Sequence, residues 1–170
     1  MKRVILSIII LIFLTGCGIF DLGDFVLPND LEFISCIEES NTPKKICNYI
    51  KENFSYKENL FYSPDPYELW LIKEGDCNDF CTYAIFGANY HNYPTWQIII
   101  YFKGTFIKHI LAIFLEDDKY TYLNIKAYCP ICASNFGEIV SDYFINHELE
   151  LKSYKVYDYN VNLIGEGYNN

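Results

Sequence analysis

A thiol, an imidazole and an amide in this chain have the side-chain types of a nucleophile, its base and an orienting group. The thiol is Cys77, which follows Gly75 and Asp76 at the start of a segment with helical spacing. Asp76 can cap that helix, and the free N–H groups and dipole of a first turn favour a thiolate. The same N–H groups could stabilise the negative oxygen of a tetrahedral intermediate. Cys77 is therefore the candidate nucleophile.

The candidate base is His109, which interrupts a hydrophobic, strand-like run. If the next turn is centred between Asp117 and Asp118, His109 faces Lys126, and Asn124 is its diagonal neighbour on the same face of the sheet. A shift of one residue would move Asn124 to the opposite face. The symmetric hairpin therefore predicts that Asn124 orients the imidazole, which takes the proton of the thiol.

The elements that must position these residues follow from periodicity and turn residues. Helices come first, and an antiparallel sheet follows and packs against the central helix, so the fold class is α+β. On the central helix, one apolar face carries Cys77, Phe80, Cys81, Ala84, Ile85 and Ala88. The predicted helices are Leu31–Glu39, one starting at Pro43 with Thr42 as cap, Tyr67–Ile72, Cys77 to about His91, and 134–146; the predicted strands are Thr95–Phe102, Phe106–Leu115, Lys119–Lys126 and Lys152–Leu163.

The amino terminus has the layout of a secretory signal. Lys2 and Arg3 precede an apolar stretch that is too short to span a bilayer comfortably. The stretch ends in Leu14-Thr15-Gly16-Cys17, which resembles the lipobox of bacterial lipoproteins. That resemblance implies cleavage before Cys17, a lipid on its sulfur, and an extracytoplasmic protein anchored in the cell membrane or outer membrane. We expect a signal peptide over 1–16, a tether over 17–30, one domain over 31–163 and a tail over 164–170.

The charge of the chain excludes one class of partner. The net charge is −9, and removal of Lys2 and Arg3 with the signal would make it −11. An acidic surface repels phosphate backbones, so we expect no nucleic-acid binding.

The seven cysteines have several potential roles. Lipid would occupy Cys17 and catalysis Cys77, which leaves an odd number and hence at least one free thiol. Cys36 and Cys47 lie on neighbouring predicted helices, where a disulfide is feasible. The pair in Cys129-Pro130-Ile131-Cys132 has redox or zinc spacing, but it lacks a thioredoxin-type setting and a second ligand pair. A structural disulfide or a plain loop is the simpler interpretation, and we expect no metal.

Residues 43 to 127 resemble the transglutaminase-like cysteine peptidase superfamily, which has a papain-like fold. Its pattern is Gly-Asp-Cys-x-Asp at a helix start, a His opening a strand, and an Asp on the next strand. The matching segments are Pro66–Trp70, Gly75–Phe80, Lys108–His109 and Tyr122–Asn124.

This resemblance implies attack on an amide bond of a protein or peptide through a Cys77 thioester, with no cofactor. Asn124 stands where the family usually has Asp. It can orient a neutral imidazole but supplies no negative charge to imidazolium. Trp70 is either a core residue or a support for the site, as aromatic neighbours are in related enzymes.

Two other interpretations compete with this one. Cell-wall NlpC/P60-type endopeptidases also place Asp-Cys at a helix start, but their usual Gly-Asp-Leu segment is missing between Cys77 and His109. A catalytically degenerate surface lipoprotein could serve as a binding or scaffold module. His91 and His147 follow predicted helices, and we interpret both as structural.

Overall fold

A computed structural model describes residues 25–58, 62–145 and 148–168. The helices are α1 (Leu31–Glu39), α2 (Pro43–Asn53), α3 (Pro66–Ile72), α4 (Cys77–Tyr90) and α5 (Phe136–Phe144). The strands are β1 (Ser55–Tyr56), β2 (Glu74–Gly75), β3 (Thr95–Phe102), β4 (Lys108–Glu116), β5 (Lys119–Asn124), β6 (Ala127–Ala133), β7 (Leu151–Asp158) and β8 (Leu163–Tyr168). None of these helices is both long and apolar enough to cross a membrane.

An antiparallel six-stranded sheet, in the order β6-β5-β4-β3-β7-β8, lies between helices on both faces. Side chains of β4 alternate between the faces, as a strand requires. Ile110, Ala112 and Phe114 belong to the hydrophobic core that includes α4. Leu111 and Ile113 belong to a second core beneath α5. The α+β class is confirmed, and α5 adds a layer on the face that α4 does not cover.

The central helix α4 is buried on all sides. Every residue from Asn78 to Ala88 is buried, although we expected one apolar face. The reason is that α2 and α3 cover the side of α4 that faces away from the sheet. A side chain at Gly87 would begin 3.3 Å from Ile46 of α2, so the two helices approach closely there. This burial holds the amino end of α4 in a fixed place.

The hairpin of β4 and β5 has the predicted register. Asp117 and Asp118 have φ of 50° and 62°, which a two-residue type I′ turn requires. Leu111 therefore pairs with Asn124. β5 ends at Asn124, two residues earlier than predicted, because Ile125 has φ of 55° and starts the turn into β6. The expected direct pairing of His109 with Lys126 was therefore wrong, while the diagonal relation to Asn124 was right.

The carboxyl-terminal part of the sheet was predicted poorly. β6 was unexpected, and the predicted strand over 152–163 covers β7 and the turn that follows it, after which the chain forms a further strand, β8. A turn stabilised by hydrogen bonds from Asn162 to Asp158 reverses the chain between them. The predicted tail at 164–170 is thus wrong up to Tyr168, because β8 pairs with β7.

The domain begins earlier in the chain than predicted. The ring of Phe25 packs edge-on against Phe86 with centroids 4.9 Å apart, and Asp30 caps α1 through two backbone N–H groups. Residues 25–30 therefore belong to the domain, whereas the rest of the predicted tether and the whole signal lie outside the described residues. Cys36 and Cys47 are free thiols, so the disulfide considered between them is absent.

Candidate active site

The predicted nucleophile lies at the first residue of α4, behind a reciprocal cap. The Asp76 carboxylate accepts from the N–H groups of Asn78 (2.8 Å) and Asp79 (3.3 Å). In return, the Asp79 carboxylate accepts from the Asp76 N–H at 3.0 Å. These bonds satisfy three donors that a helix start otherwise leaves unpaired. Cys77 is half-buried at this capped, electropositive end.

The cap reduces the number of backbone N–H groups that could donate to a developing oxyanion. We expected the free N–H groups of the first turn to be available, but Asp76 already occupies those of Asn78 and Asp79. The backbone N–H of Cys77 lies next to the thiol and is not one of the two that the Asp76 side chain occupies. Asp76 therefore organises the helix start and does not itself have to contact a substrate.

Gly75 allows this segment to pass close to the buried cap. A Cβ at Gly75 would lie 2.8 Å from Asp79 Cβ and 2.9 Å from Leu69 Cδ1, distances that packed side chains do not adopt. The same segment forms β2, whose carbonyl at Gly75 accepts from the Lys57 N–H at 2.9 Å. Sterics and backbone pairing together fix the residue that precedes Asp76 and Cys77.

His109 and Asn124 meet as the hairpin register predicted. The Nε2 atom of His109 lies 3.0 Å from Oδ1 of Asn124. An amide oxygen only accepts, so Nε2 carries the hydrogen and donates it. In a neutral imidazole the lone pair then lies on Nδ1, which becomes the basic nitrogen. This is the tautomer that a base needs if Nδ1 is to receive the proton of a thiol.

Chain direction brings the imidazole and the thiol to the same end of the molecule. β3 follows α4 after a short turn and leads back toward the amino end of α4. β4 is antiparallel to β3, with Ile100 opposite His109, so β4 starts at that end. Cys77, His109 and Asn124 therefore lie at the same end of the sheet, where β4 begins and β5 ends.

The imidazole points to the face of the sheet opposite to α4. His109 alternates with Leu111 and Ile113, and its ring stacks on Tyr143 of α5 with centroids 5.3 Å apart. Any contact between the thiol and the imidazole must therefore form around the end of strand β4 and not within the core beneath α4. His109 is the second residue of β4, which is close enough to the edge for such an arrangement.

Tyr143 links the two groups electrostatically and sterically. Burial and, second, the electrostatic interaction with Cys77 raise the pKa of Tyr143 to about 12. Its ring is the one that stacks on His109. The buried ring of Tyr143 thus contacts the imidazole, and the pKa of its hydroxyl responds to Cys77. We did not identify Tyr143 from the sequence, and no local pattern could have found it, because its neighbours are distant in the chain.

Asp79, whose carboxyl is buried, is a second functional residue that the sequence did not reveal. Its burial raises its pKa to about 6, although bonds from the Asp76 N–H and Ser63 Oγ oppose that shift. Ser63 Oγ lies 3.0 Å from Asp79 Oδ1 and accepts from Asn78 Nδ2. The spacing of Asp76 and Asp79 is that of a capping box and could have revealed the pair.

The other candidates lie elsewhere. Trp70 packs against Phe33 (5.5 Å) and Tyr67 (6.0 Å), and the Lys73 ammonium lies 4.3 Å above its ring. These are core contacts, and a supporting role for Trp70 remains a prediction. His91 Nε2 bonds the Ile37 carbonyl at 2.8 Å, in keeping with a structural role.

Cys17 and His147 lie outside the described residues. Among the residues that are described, no group of three or more His, Cys, Asp or Glu side chains could hold a metal ion.

No family model and no curated protein matches the sequence. Among solved structures, the fold is similar to LapG from Legionella pneumophila. Its EGTA-treated form has a TM-score of 0.47 and 13% identity over 79% of this chain and 73% of that one. The calcium-bound form has a TM-score of 0.45 and 13% identity over 69% of each chain. A proposed cysteine protease from Cytophaga hutchinsonii has a TM-score of 0.44 and 11% identity over 88% of this chain and 57% of that one.

Proposed function

We propose that the chain is a transglutaminase-like cysteine hydrolase or acyltransferase that acts on amide bonds of proteins or peptides. Cys77 is the nucleophile, His109 the base and Asn124 the orienting group. The observation that carries the proposal is the His109–Asn124 hydrogen bond at the end of the sheet where α4 begins. It leaves the lone pair of a neutral imidazole on Nδ1, the nitrogen that would take the proton of the thiol.

The reaction would run through a thioester. Nδ1 of His109 takes the proton of the Cys77 thiol, and the thiolate attacks the carbonyl carbon of the amide. The carbonyl oxygen becomes an oxyanion and accepts from the Cys77 N–H. As the tetrahedral intermediate collapses, the imidazolium gives its proton to the leaving amine and the acyl group stays on sulfur. Water or a second amine, deprotonated by His109, then attacks the thioester and releases the thiol.

Two features of the site support this role for Cys77. The dipole of α4, whose residues from Asn78 to Ala88 are buried, favours negative charge at its amino end. His109 as imidazolium would add a positive charge on the other side of the sulfur. Cys81, by contrast, is buried one turn further along α4 and lacks both a helix end and access to substrate. The chain thus holds an internal control for a reactive thiol.

A peptide p-nitrophenyl ester tests the proposal directly. We expect a burst of one nitrophenol per chain, followed by slow turnover, with the acyl mass located on Cys77. Cys77 and Cys81 fall in the same tryptic peptide, 74–103, so the modified residue must be assigned by fragmentation. Cys77→Ala should abolish the burst and Cys81→Ala should preserve it. Adding a primary amine shows whether an amide product replaces the acid, which separates acyl transfer from hydrolysis.

The alternative is a binding module on a degenerate fold. It would give no burst and no acyl adduct with the folded chain, and substitution of Cys77 would leave partner binding unchanged. That result would remove the enzymatic proposal and leave the fold unaffected.

Envelope anchoring is a separate part of the proposal and depends on the Leu14-Thr15-Gly16-Cys17 segment. A lipid on Cys17 would place the domain outside the cytoplasm at a membrane surface. Growth with an alkyne-tagged fatty acid should label the full chain, and Cys17→Ser should prevent labelling. Equal labelling of the two chains, or none of either, would contradict the anchor.

A further inference from the structure

The edge strand β6 contains an irregularity at Cys129 and Cys132. Tyr122 of β5 pairs with Cys129, and Tyr120 pairs with Ala133. Two steps along β5 therefore match four steps along β6. An extended strand covers about 6.8 Å in two steps, so the segment from Cys129 to Ala133 must fold back on itself to fit that distance. The register thus brings Cys132 toward Cys129.

The Cα spacing across this irregular segment of β6 is compatible with a disulfide. Disulfides form where Cα atoms are about 4.4 to 6.8 Å apart. The partner strand holds Cys129 and Ala133, the residue after Cys132, at a spacing near the upper end of that range. Pro130 follows Cys129 directly and favours a turn at that position.

The backbone at Cys132 shows where the segment departs from an extended strand. Its φ is 55°, a left-handed conformation in which glycine is usual at a bulge. A cysteine there carries a steric cost that glycine would avoid.

The two thiols also differ in access. Both are free thiols in this structure; Cys132 is exposed, and Cys129 is half-buried. Burial raises the pKa of the Cys129 thiol. An external disulfide would therefore meet Cys132 first.

We propose that Cys129 and Cys132 form a reversible intramolecular disulfide that locks the bulge of β6. The oxidant is a low-molecular-weight or protein disulfide. The Cys132 thiolate attacks one of its sulfurs and releases the first thiol, leaving a mixed disulfide. Cys129 then attacks the Cys132 sulfur and releases the second thiol. Two electrons and two protons pass to the oxidant, and the chain gains one S–S bond. The inference does not depend on catalysis at Cys77.

Tryptic mapping after oxidation with oxidised glutathione tests this proposal. Cys129 and Cys132 are the two cysteines of the tryptic peptide 127–152. We expect this peptide to lose the mass of two hydrogen atoms and to take no label from N-ethylmaleimide, and reduction should restore both labels. Persistent labelling of both residues under oxidising conditions would overturn the inference.

Two further results bear on the pairing. Cys129→Ser should trap glutathione on Cys132, because the attacking thiol is gone, whereas the unsubstituted chain should retain none. Glutathione that stays on Cys132 in the unsubstituted chain would contradict the proposal. A link between peptides 46–51 and 127–152 would show pairing of Cys47 with Cys129 or Cys132 and would also overturn it. Circular dichroism of each variant checks that the fold is intact.

Discussion

The amide oxygen of Asn124 lies 3.0 Å from Nε2 of His109, across the diagonal of the β4–β5 hairpin. The two-residue turn at Asp117 and Asp118 sets the register of this hairpin. The position of Asn124 relative to the proposed base therefore depends on a turn at the opposite end of the two strands. Because the bond fixes the tautomer, it makes Asn124 more than a packing residue.

Replacing Asn124 separates orientation from charge. Asn124→Ala removes the acceptor, and we expect the ester burst rate to fall about 10- to 100-fold, a part of what general-base assistance contributes. Asn124→Asp keeps an acceptor and adds a negative charge, which raises the imidazole pKa. The alkaline limit of the burst rate should then move up by about one pH unit. A burst rate within twofold of the original in Asn124→Ala would contradict the orienting role.

Tyr143 tests the steric support of the imidazole. Tyr143→Ala removes a buried ring and should cost about 3–5 kcal/mol of unfolding free energy in denaturant titration. It should also slow alkylation of Cys77 near pH 6 by roughly tenfold, because the imidazole loses its stacking partner. Phe136→Ala is the matched control: this ring lies at the other end of α5, packed against Trp96 and Tyr120. It should lower stability without altering alkylation, and an equal slowing in both variants would count against Tyr143.

Gly75 should tolerate no side chain. In Gly75→Ala the new methyl would press on Asp79 and Leu69, both buried, and we expect a loss of about 1–3 kcal/mol of unfolding free energy. The control is Gly165→Ala, where a Cβ would meet Val156 at an ordinary 3.8 Å. Chemical denaturation of both variants measures the difference. Equal stabilities would show that the segment before Cys77 is not packed as described.

The raised pKa of Asp79 predicts a pH dependence of stability. A carboxyl with a pKa near 6 in the folded chain and an ordinary value of 3.8 when unfolded holds its proton more tightly when folded. Stability should therefore fall as pH rises from about 4 to about 6, by at most about 3 kcal/mol. Asp79→Asn cannot ionise and should lose this part of the slope.

The control for this prediction is Asp118→Asn, which changes a carboxylate in an exposed turn. It should keep the slope of the unsubstituted chain. Parallel slopes for the unsubstituted chain and Asp79→Asn, measured by urea denaturation at several pH values, would contradict the assignment.

Local features of the site were predictable because local chemistry determines them. Thr42-Pro43 and Asp76 mark the starts of α2 and α4, and both helices begin there. The turn at Asp117 and Asp118 sets the hairpin register, which places Asn124 on the same face as His109.

Features that depend on distant parts of the chain were not predictable. The pairing of β3 with β7, the bulge in β6 and the contact of Tyr143 with His109 join segments that no spacing connects. The burial of α4 on all sides likewise depends on how α2 and α3 pack on it. The sequence did not show that His109 lies on the face of the sheet opposite to α4, because that depends on how α4 and α5 pack on the sheet.

The most direct test of the proposed site is the pH dependence of Cys77 alkylation by iodoacetamide, with and without His109. If the thiol and the imidazole meet around the end of β4, Cys77 should react at about pH 6 nearly as fast as at about pH 8.5. In His109→Ala, Cys77 should react as an ordinary thiol with a pKa of about 8.5. The same ordinary profile in both proteins would show that His109 does not reach Cys77, and it would contradict the proposed mechanism.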